Sequence, residues 1–319
     1  MIALLAALLI GIVGGLLQIV PVTSQVLTLE ALRAPAPVPQ DDPWAAVWNG
    51  APKQEVVLSA QNIAAPFGGG TVEILTARAL HDGETMFILL EWADTEVDDT
   101  VNGVEEFADA AAVQFPADPD GSAPAFTMGA TGSGVNIWQW KAVWQADIER
   151  GFDTTLTRYP NTYTDFYPGS DDTLYSPALH VGNPLAAREH DSPIENLVAE
   201  GFGTLTHADL QDVAGIGAWR DGRWRALFLR QLEPAADGFT RFEVGETTSI
   251  AFAVWDGGAG DRNGQKSIAP WIDLTVGDAF AATDGGPGGR VLLIGIFAAI
   301  VVIAVGAYLY AVRQQARSQ

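Results

Sequence analysis

Val213-Ala-Gly-Ile-Gly-Ala-Trp219 and Trp224-Arg-Ala-Leu-Phe-Leu229 flank Arg220-Asp-Gly-Arg223, and this stretch decides the fold class. Asp-Gly between two β-type runs is a strong signal of a two-residue β-hairpin. Similar short runs, separated by turn residues, recur at 55–60, 71–76, 85–92, 111–115, 135–140, 249–255 and 271–276. Short strands without alternating long helices predict an all-β fold, an antiparallel β-sandwich.

Uncharged segments lie at both ends of the chain. Residues 1–22 and residues 291–312 contain no Asp, Glu, Lys or Arg. Each segment is long enough to cross a hydrocarbon core of ~30 Å as a helix. The second predicts a C-terminal transmembrane helix. The first predicts an N-terminal hydrophobic helix, which is either a transmembrane anchor or a longer-than-usual signal peptide.

The remaining residues divide into four parts by composition. They are a Pro-rich spacer, a folded domain, a Gly-rich tether and a short tail, at 23–43, 44–278, 279–290 and 313–319. Arg313 and Arg317 follow the second span, so the positive-inside rule predicts a cytoplasmic tail. We therefore expect a cell-membrane protein whose main domain faces the extracellular or periplasmic side.

The charge of the central part restricts its partners. All 39 acidic residues and 15 of the 17 basic residues lie within 23–290, which gives that part a net charge of −24. This excess of carboxylates with only three lysines is typical of halophilic proteins, and it excludes nucleic acid as a partner. The absence of cysteine excludes iron–sulfur clusters, zinc–thiolate sites and covalently attached c-type haem.

Catalytic motifs are absent from the sequence. It contains no G-x-S-x-G, no P-loop and no H-E-x-x-H, so a membrane-bound hydrolase is disfavoured. The acidic pairs at Asp98-Asp99 and Asp118-Pro-Asp120 lack the spacing of an EF-hand. Residues 145–205 lack clear strand signals, and this stretch is either a wall of a ligand pocket or a long surface loop.

Few side chains are candidates for binding a soft metal or haem iron. Met86 lies in an apolar run and is best interpreted as core, whereas Met128 lies in a Gly-flanked loop. The four histidines are scattered, at His81, His180, His190 and His207. A single histidine could still supply one axial ligand of a haem, and His81 or His207 is then the best candidate.

Two long signatures carry a family resemblance. The first is Asp109-Ala-Ala-Ala-Val-Gln-Phe-Pro116, Phe126-Thr-Met-Gly129 and Val135-Asn-Ile-Trp-Gln-Trp-Lys-Ala142. The second is Ile250-Ala-Phe-Ala-Val-Trp-Asp256 with Gly260-Asp-Arg-Asn-Gly-Gln-Lys-Ser-Ile-Ala-Pro-Trp-Ile272. In this order they resemble the haem-binding domain related to ethylbenzene dehydrogenase, the gamma-type subunit of molybdenum oxidoreductases of the dimethyl sulfoxide reductase class.

The resemblance implies one haem b in a β-sandwich. The positions that match the family's axial ligands are Met128 and Lys266. Trp138, Trp140 and Trp255 crowd the signatures and are candidates either for apolar walls of the haem slot or for the ordinary core of the sandwich. The scarcity of lysine makes Lys266 less easily explained as generic surface charge.

The implied function is electron transfer rather than catalysis, since two axial ligands leave the iron no open position. We therefore expect a membrane-anchored b-type cytochrome that passes electrons to or from a molybdenum oxidoreductase. Its partners would be the catalytic and iron–sulfur subunits, or a membrane cytochrome that oxidises quinol. The alternative is a surface-anchored β-sandwich that binds carbohydrate or a partner protein without haem.

The charge of residues 23–290 predicts that salt stabilises the domain. Screening weakens the repulsion among carboxylates, so we expect the melting temperature to rise from low to molar salt. Thermal melts across that range measure the effect. A flat or falling melting temperature would contradict the halophilic interpretation.

Overall fold

The computed structural model describes residues 27–118, 123–162, 177–183, 186–187 and 189–282. Strands dominate this part of the chain, so the predicted all-β class is confirmed. The strands are β1 Thr28–Arg33, β2 Lys53–Val57, β3 Ser59–Ala60, β4 Ile74–His81, β5 Thr85–Ala93, β6 Ala110–Pro116, β7 Val135–Lys141, β8 Ile194–Ala199, β9 Thr206–His207, β10 Ala214–Arg220, β11 Arg223–Gln231, β12 Thr247–Trp255, β13 Ser267–Ile268 and β14 Ile272–Phe280.

The strands form two layers that share β12. The first layer runs in the order β10-β11-β5-β4-β1-β14, with β2 beside β4. The second runs β12-β6-β7-β8-β9, with β13 beside β12 and β3 beside β13. Thr247–Ile250 of β12 pair with β14, whereas Ala251–Trp255 pair with β6, so this strand passes from one layer to the other.

The first strand corrects the sequence-based expectation. Thr28–Arg33 falls inside the predicted spacer, yet it lies in the sheet between β14 and β4 and is parallel to both. The sheet is therefore mixed rather than purely antiparallel. Its hydrogen bonds come from residues distant in sequence, and a short strand before a Pro-rich segment carries no local signal of such pairing.

The β10–β11 hairpin forms as predicted. Arg220 pairs with Arg223, and Asp221 and Gly222 adopt positive φ angles of 52° and 77°, as a type I′ turn requires. The hairpin brings Trp224 into the core between the layers. There Trp140 of β7 packs on Trp224 at 4.9 Å and on Trp92 of β5 at 6.0 Å between ring centroids.

Helices are short in the described residues. They are a 3₁₀ turn at Ala46–Asn49, α1 Ala142–Arg150, α2 Thr155–Arg158 and α3 Pro177–His180. None of the helices within the described ranges is both long and apolar enough to span a bilayer. The two predicted spans, 1–22 and 291–312, lie outside those ranges.

Gly217 of β10 provides a test of the packing between the layers. A Cβ at this position would overlap the Trp140 indole, which is fully buried. We expect Gly217→Ala to lower the free energy of unfolding by about 1–3 kcal/mol, because the overpacked core must shift. Denaturant unfolding measures this loss.

Gly103→Ala is the matched control. Its Cβ would find the nearest atom, in the Glu106 side chain, at 3.4 Å, and its φ is ordinary. The control should change the free energy of unfolding by less than about 0.5 kcal/mol. Equal effects of the two variants would contradict the packing described here.

Candidate functional site

A cleft of about 820 Å³ lies on the outer face of the second layer, away from the core between the sheets. Its floor consists of small and apolar side chains from β6, β12 and β7, among them Ala112, Ala251, Ala253 and Ile137. Loops that carry Met128 and Lys266 line it, as does Phe202. A largely apolar floor with a few polar groups is typical of a small-molecule or cofactor site.

The alternation of side chains along β7 decides which residues reach the cleft. Ile137, Gln139 and Lys141 line the cleft. Trp138 and Trp140 point to the opposite face and are fully buried in the core between the layers. Strand residues two apart share a face, so the two groups cannot lie on the same side.

Met128 occupies a strained position in the loop between β6 and β7. Its φ of 73° lies in the left-handed region, which a non-glycine residue adopts at a cost of about 1–2 kcal/mol. The following Gly129 also has a positive φ, and a Cβ there would lie 2.8 Å from the Ser133 carbonyl oxygen. The Gln114 side chain donates to the Phe126 carbonyl at 3.0 Å and so anchors the loop to the cleft floor. Such strain marks this position as a candidate functional site.

Lys266 lies at the end of the loop that joins β12 to β13. Its Nζ sits 4.6 Å from the centroid of the Trp255 ring, and within the described residues it has no hydrogen-bond or ion-pair partner. Burial lowers the pKa of Lys266 to about 8, because desolvation disfavours the ammonium. The Trp255 Nε1 donates to the Asn263 carbonyl at 3.1 Å and so holds this loop in place.

A second lysine in the cleft is paired. Lys141 donates to the Glu195 carboxylate through a short contact, and the His207 Nδ1 lies 2.7 Å from the other oxygen of Glu195. Burial lowers the pKa of Lys141, whereas the charge and hydrogen bond of Glu195 act in the opposite direction. This cluster of Lys141, Glu195 and His207 forms a polar wall that satisfies its own charges.

Three of the five candidate residues meet in this cleft, namely Met128, Lys266 and Trp255. Trp138 and Trp140 do not line it. His81 is buried elsewhere, with its Nε2 2.8 Å from the Gly277 carbonyl oxygen. Sequence reasoning missed Lys141 and Glu195 as site residues, although the scarcity of lysine was a signal that could have indicated Lys141.

Comparison with known proteins agrees with the two sequence signatures. The family profile for ethylbenzene dehydrogenase matches residues 45–267, which include Met128 and Lys266. A protein of Haloferax mediterranei named as a respiratory nitrate reductase heme subunit is 28% identical over 236 residues, which cover 74% of this chain and 68% of the relative. Chlorate reductase subunit gamma of Ideonella dechloratans is 25% identical over 235 residues, covering 73% and 78%.

Among solved structures, a carbohydrate binding module of family 9 from Caldicellulosiruptor kristjanssonii, in complex with cellotriose, aligns with a TM-score of 0.37 at 9% identity, covering 79% of this chain and 94% of the module. The family profile, in contrast, spans more than half of the chain and contains both loops of the cleft. The chain therefore belongs to the ethylbenzene dehydrogenase family.

Proposed function

We propose that the protein is a membrane-anchored b-type cytochrome that transfers electrons to or from a molybdenum oxidoreductase. One haem b would occupy the cleft, with Met128 and Lys266 as its two axial ligands. The observation that carries this proposal is the Lys266 amine, which is desolvated, unpaired within the described residues and directed at an apolar cleft.

The cleft fits a haem in its size, its floor and its donor groups. Its volume of about 820 Å³ lies in the range of cofactor pockets. The small side chains of Ala112, Ala251 and Ala253 protrude little from the floor of the cleft, which leaves room for a flat ligand. A thioether and a deprotonated amine are both ligands of iron, and neither donor is engaged by another polar group of the described chain.

The amine needs the desolvation that the fold provides. An ammonium cannot bind a metal, so iron binding requires that Lys266 lose its proton. Burial against Trp255 already favours the neutral amine. Burial lowers the pKa of Lys141 as well, but the Lys141 amine is held by the Glu195 carboxylate and so is not free to bind a metal.

Electron transfer follows from the ligand set. A bound haem supplies one-electron redox chemistry, and a protein controls its potential through the axial ligands and the polarity of the pocket. Met128 and Lys266 together would fill both axial positions and leave no site for substrate. The relatives from Haloferax mediterranei and Ideonella dechloratans are named as subunits of nitrate and chlorate reductases, which supports the role of an accessory electron carrier rather than a catalytic subunit.

An absorption spectrum of the purified full-length chain tests the proposal most simply. We expect a Soret band, low-spin visible bands on reduction, and haem b recovered by extraction. A chain that binds carbohydrate or a partner protein without haem would be colourless. If this protein is purified without haem from cells that supply haem to other cytochromes, the proposal is contradicted.

The ligands are tested by substitution. Lys266→Ala should open a coordination position, convert the reduced spectrum to high spin and allow carbon monoxide to bind. Met128→Ala should have the same spectral effect and should also lower the reduction potential, because a thioether favours ferrous iron. Optical spectra and a redox titration measure these changes.

Lys141→Ala is the matched control, since it removes a lysine from the same cleft. His207→Ala tests the rival histidine ligand, because the His207 ring also lines the cleft. Both variants should keep the low-spin spectrum. Loss of that spectrum in His207→Ala, with Lys266→Ala unchanged, would contradict the assignment of Met128 and Lys266.

Membrane orientation is a separate part of the proposal and rests on the sequence. The uncharged segment 291–312 followed by Arg313 and Arg317 predicts that residues 23–290 face outward. Protease added to intact cells should therefore digest the main domain. Protection of that domain until the cells are lysed would contradict this orientation.

A further inference from the structure

Three aspartates converge at one end of the sandwich, outside the cleft. Asp94 follows β5, Asp109 precedes β6 and Asp256 follows β12. β6 and β12 are antiparallel neighbours with Ala110 opposite Trp255, so Asp109 and Asp256 lie at the same end of the sheet. One carboxylate oxygen of each aspartate lies within 4.8 Å of the other two.

Two carboxylate oxygens in and beside this cluster are buried and have no hydrogen-bond partner within the described residues. Asp94 is only 9% exposed. Its Oδ1 accepts the Glu96 amide at 3.1 Å, whereas its Oδ2 is fully buried and has no hydrogen-bond partner. The Oδ2 of Asp98 is likewise buried without a partner. A buried carboxylate oxygen that lacks a partner carries a large desolvation cost, which a bound cation would offset.

Asp98 lies at the edge of the same cluster. A Cβ built on Gly258 would lie 2.8 Å from the Asp98 Oδ2 and 3.5 Å from the Asp256 Oδ1. Both oxygens therefore lie close to Gly258. Asp98 thus brings a fourth carboxylate to this end of the sandwich.

Within the described residues, no lysine or arginine forms an ion pair with Asp94, Asp109 or Asp256. Arg150 pairs with Asp99 at 2.9 Å, and the Arg262 guanidinium lies over the Phe107 ring. Desolvation, together with the negative charges of Asp256 and Asp98, raises the pKa of Asp94 to about 6. The site concentrates negative charge in a place that is partly closed to water.

We propose that Asp94, Asp109 and Asp256 bind one calcium ion. Three oxygens no more than 4.8 Å apart leave a point at most about 2.8 Å from each, and a small contraction gives the Ca–O distances of about 2.3–2.6 Å. Magnesium requires about 2.0–2.1 Å in a strict octahedron, and zinc prefers nitrogen or sulfur ligands, which the cluster does not supply. The site is separate from the cleft, and the proposal does not depend on haem.

Terbium luminescence tests the site on the full-length chain. Trp224 Nε1 donates to the Asp109 carboxylate at 3.0 Å, so an indole lies beside the site and can sensitise a bound terbium ion. In about 1 M KCl, which screens the acidic surface, we expect saturable emission that calcium displaces and magnesium does not. Calcium should also raise the melting temperature by about 5–10 °C at a concentration about 100-fold above its dissociation constant.

Asp94→Asn and Asp256→Asn should each weaken calcium binding by at least about tenfold, because a carboxylate ligand is lost. Asp256 is partly exposed, so its variant remains informative if Asp94→Asn folds poorly. Without calcium, Asp94→Asn should melt no lower than the wild type, since the substitution removes repulsion.

Asp221→Asn is the control, because its side chain is 94% exposed in the β10–β11 turn and the charge change is the same. Asparagine also tolerates the positive φ of this position. It should bind calcium as the wild type does. Emission that is unsaturable, unchanged in both site variants, or displaced equally by magnesium would overturn the proposal.

Discussion

The second layer of the sandwich is buried on both faces, and the rest of the molecule depends on this constraint. One face of β6, β7 and β12 packs on the aromatic core, where Trp140 contacts Trp92 and Trp224. The other face forms the cleft floor, where small residues such as Ala112 and Ala253 lie. Because alternate residues serve the two faces, core and site share the same strands and constrain each other.

The two lysines of the cleft differ in whether the fold gives the amine an acidic partner. Lys141 is bound by Glu195, which in turn contacts His207, so the lysine amine and the imidazole both have a partner. Lys266 has the Trp255 ring beside it and no acidic partner within the described residues. Met128 also lines the cleft, and its backbone adopts a left-handed conformation that is costly for a non-glycine residue.

Local patterns predicted the strands well, and long-range pairing explains what they missed. The Asp221-Gly222 hairpin and the apolar strand β5 are visible in the sequence and present in the fold. β1 is not, because its parallel partners β14 and β4 come later in the chain. Trp138 and Trp140 were grouped with Trp255 by proximity to the signatures, but strand alternation directs them to the core. Asp94, Asp109 and Asp256 are separated by long intervals in the sequence, so no local motif indicates their convergence.

The central claim is that the Met128 thioether and the Lys266 amine both bind the iron of one haem in this cleft. X-ray absorption at the iron edge of the purified protein tests it most directly. The account predicts one sulfur neighbour, from Met128, with the remaining ligands nitrogen and no scattering pattern of an imidazole ring. A shell of nitrogen alone, or clear imidazole scattering, would contradict the account.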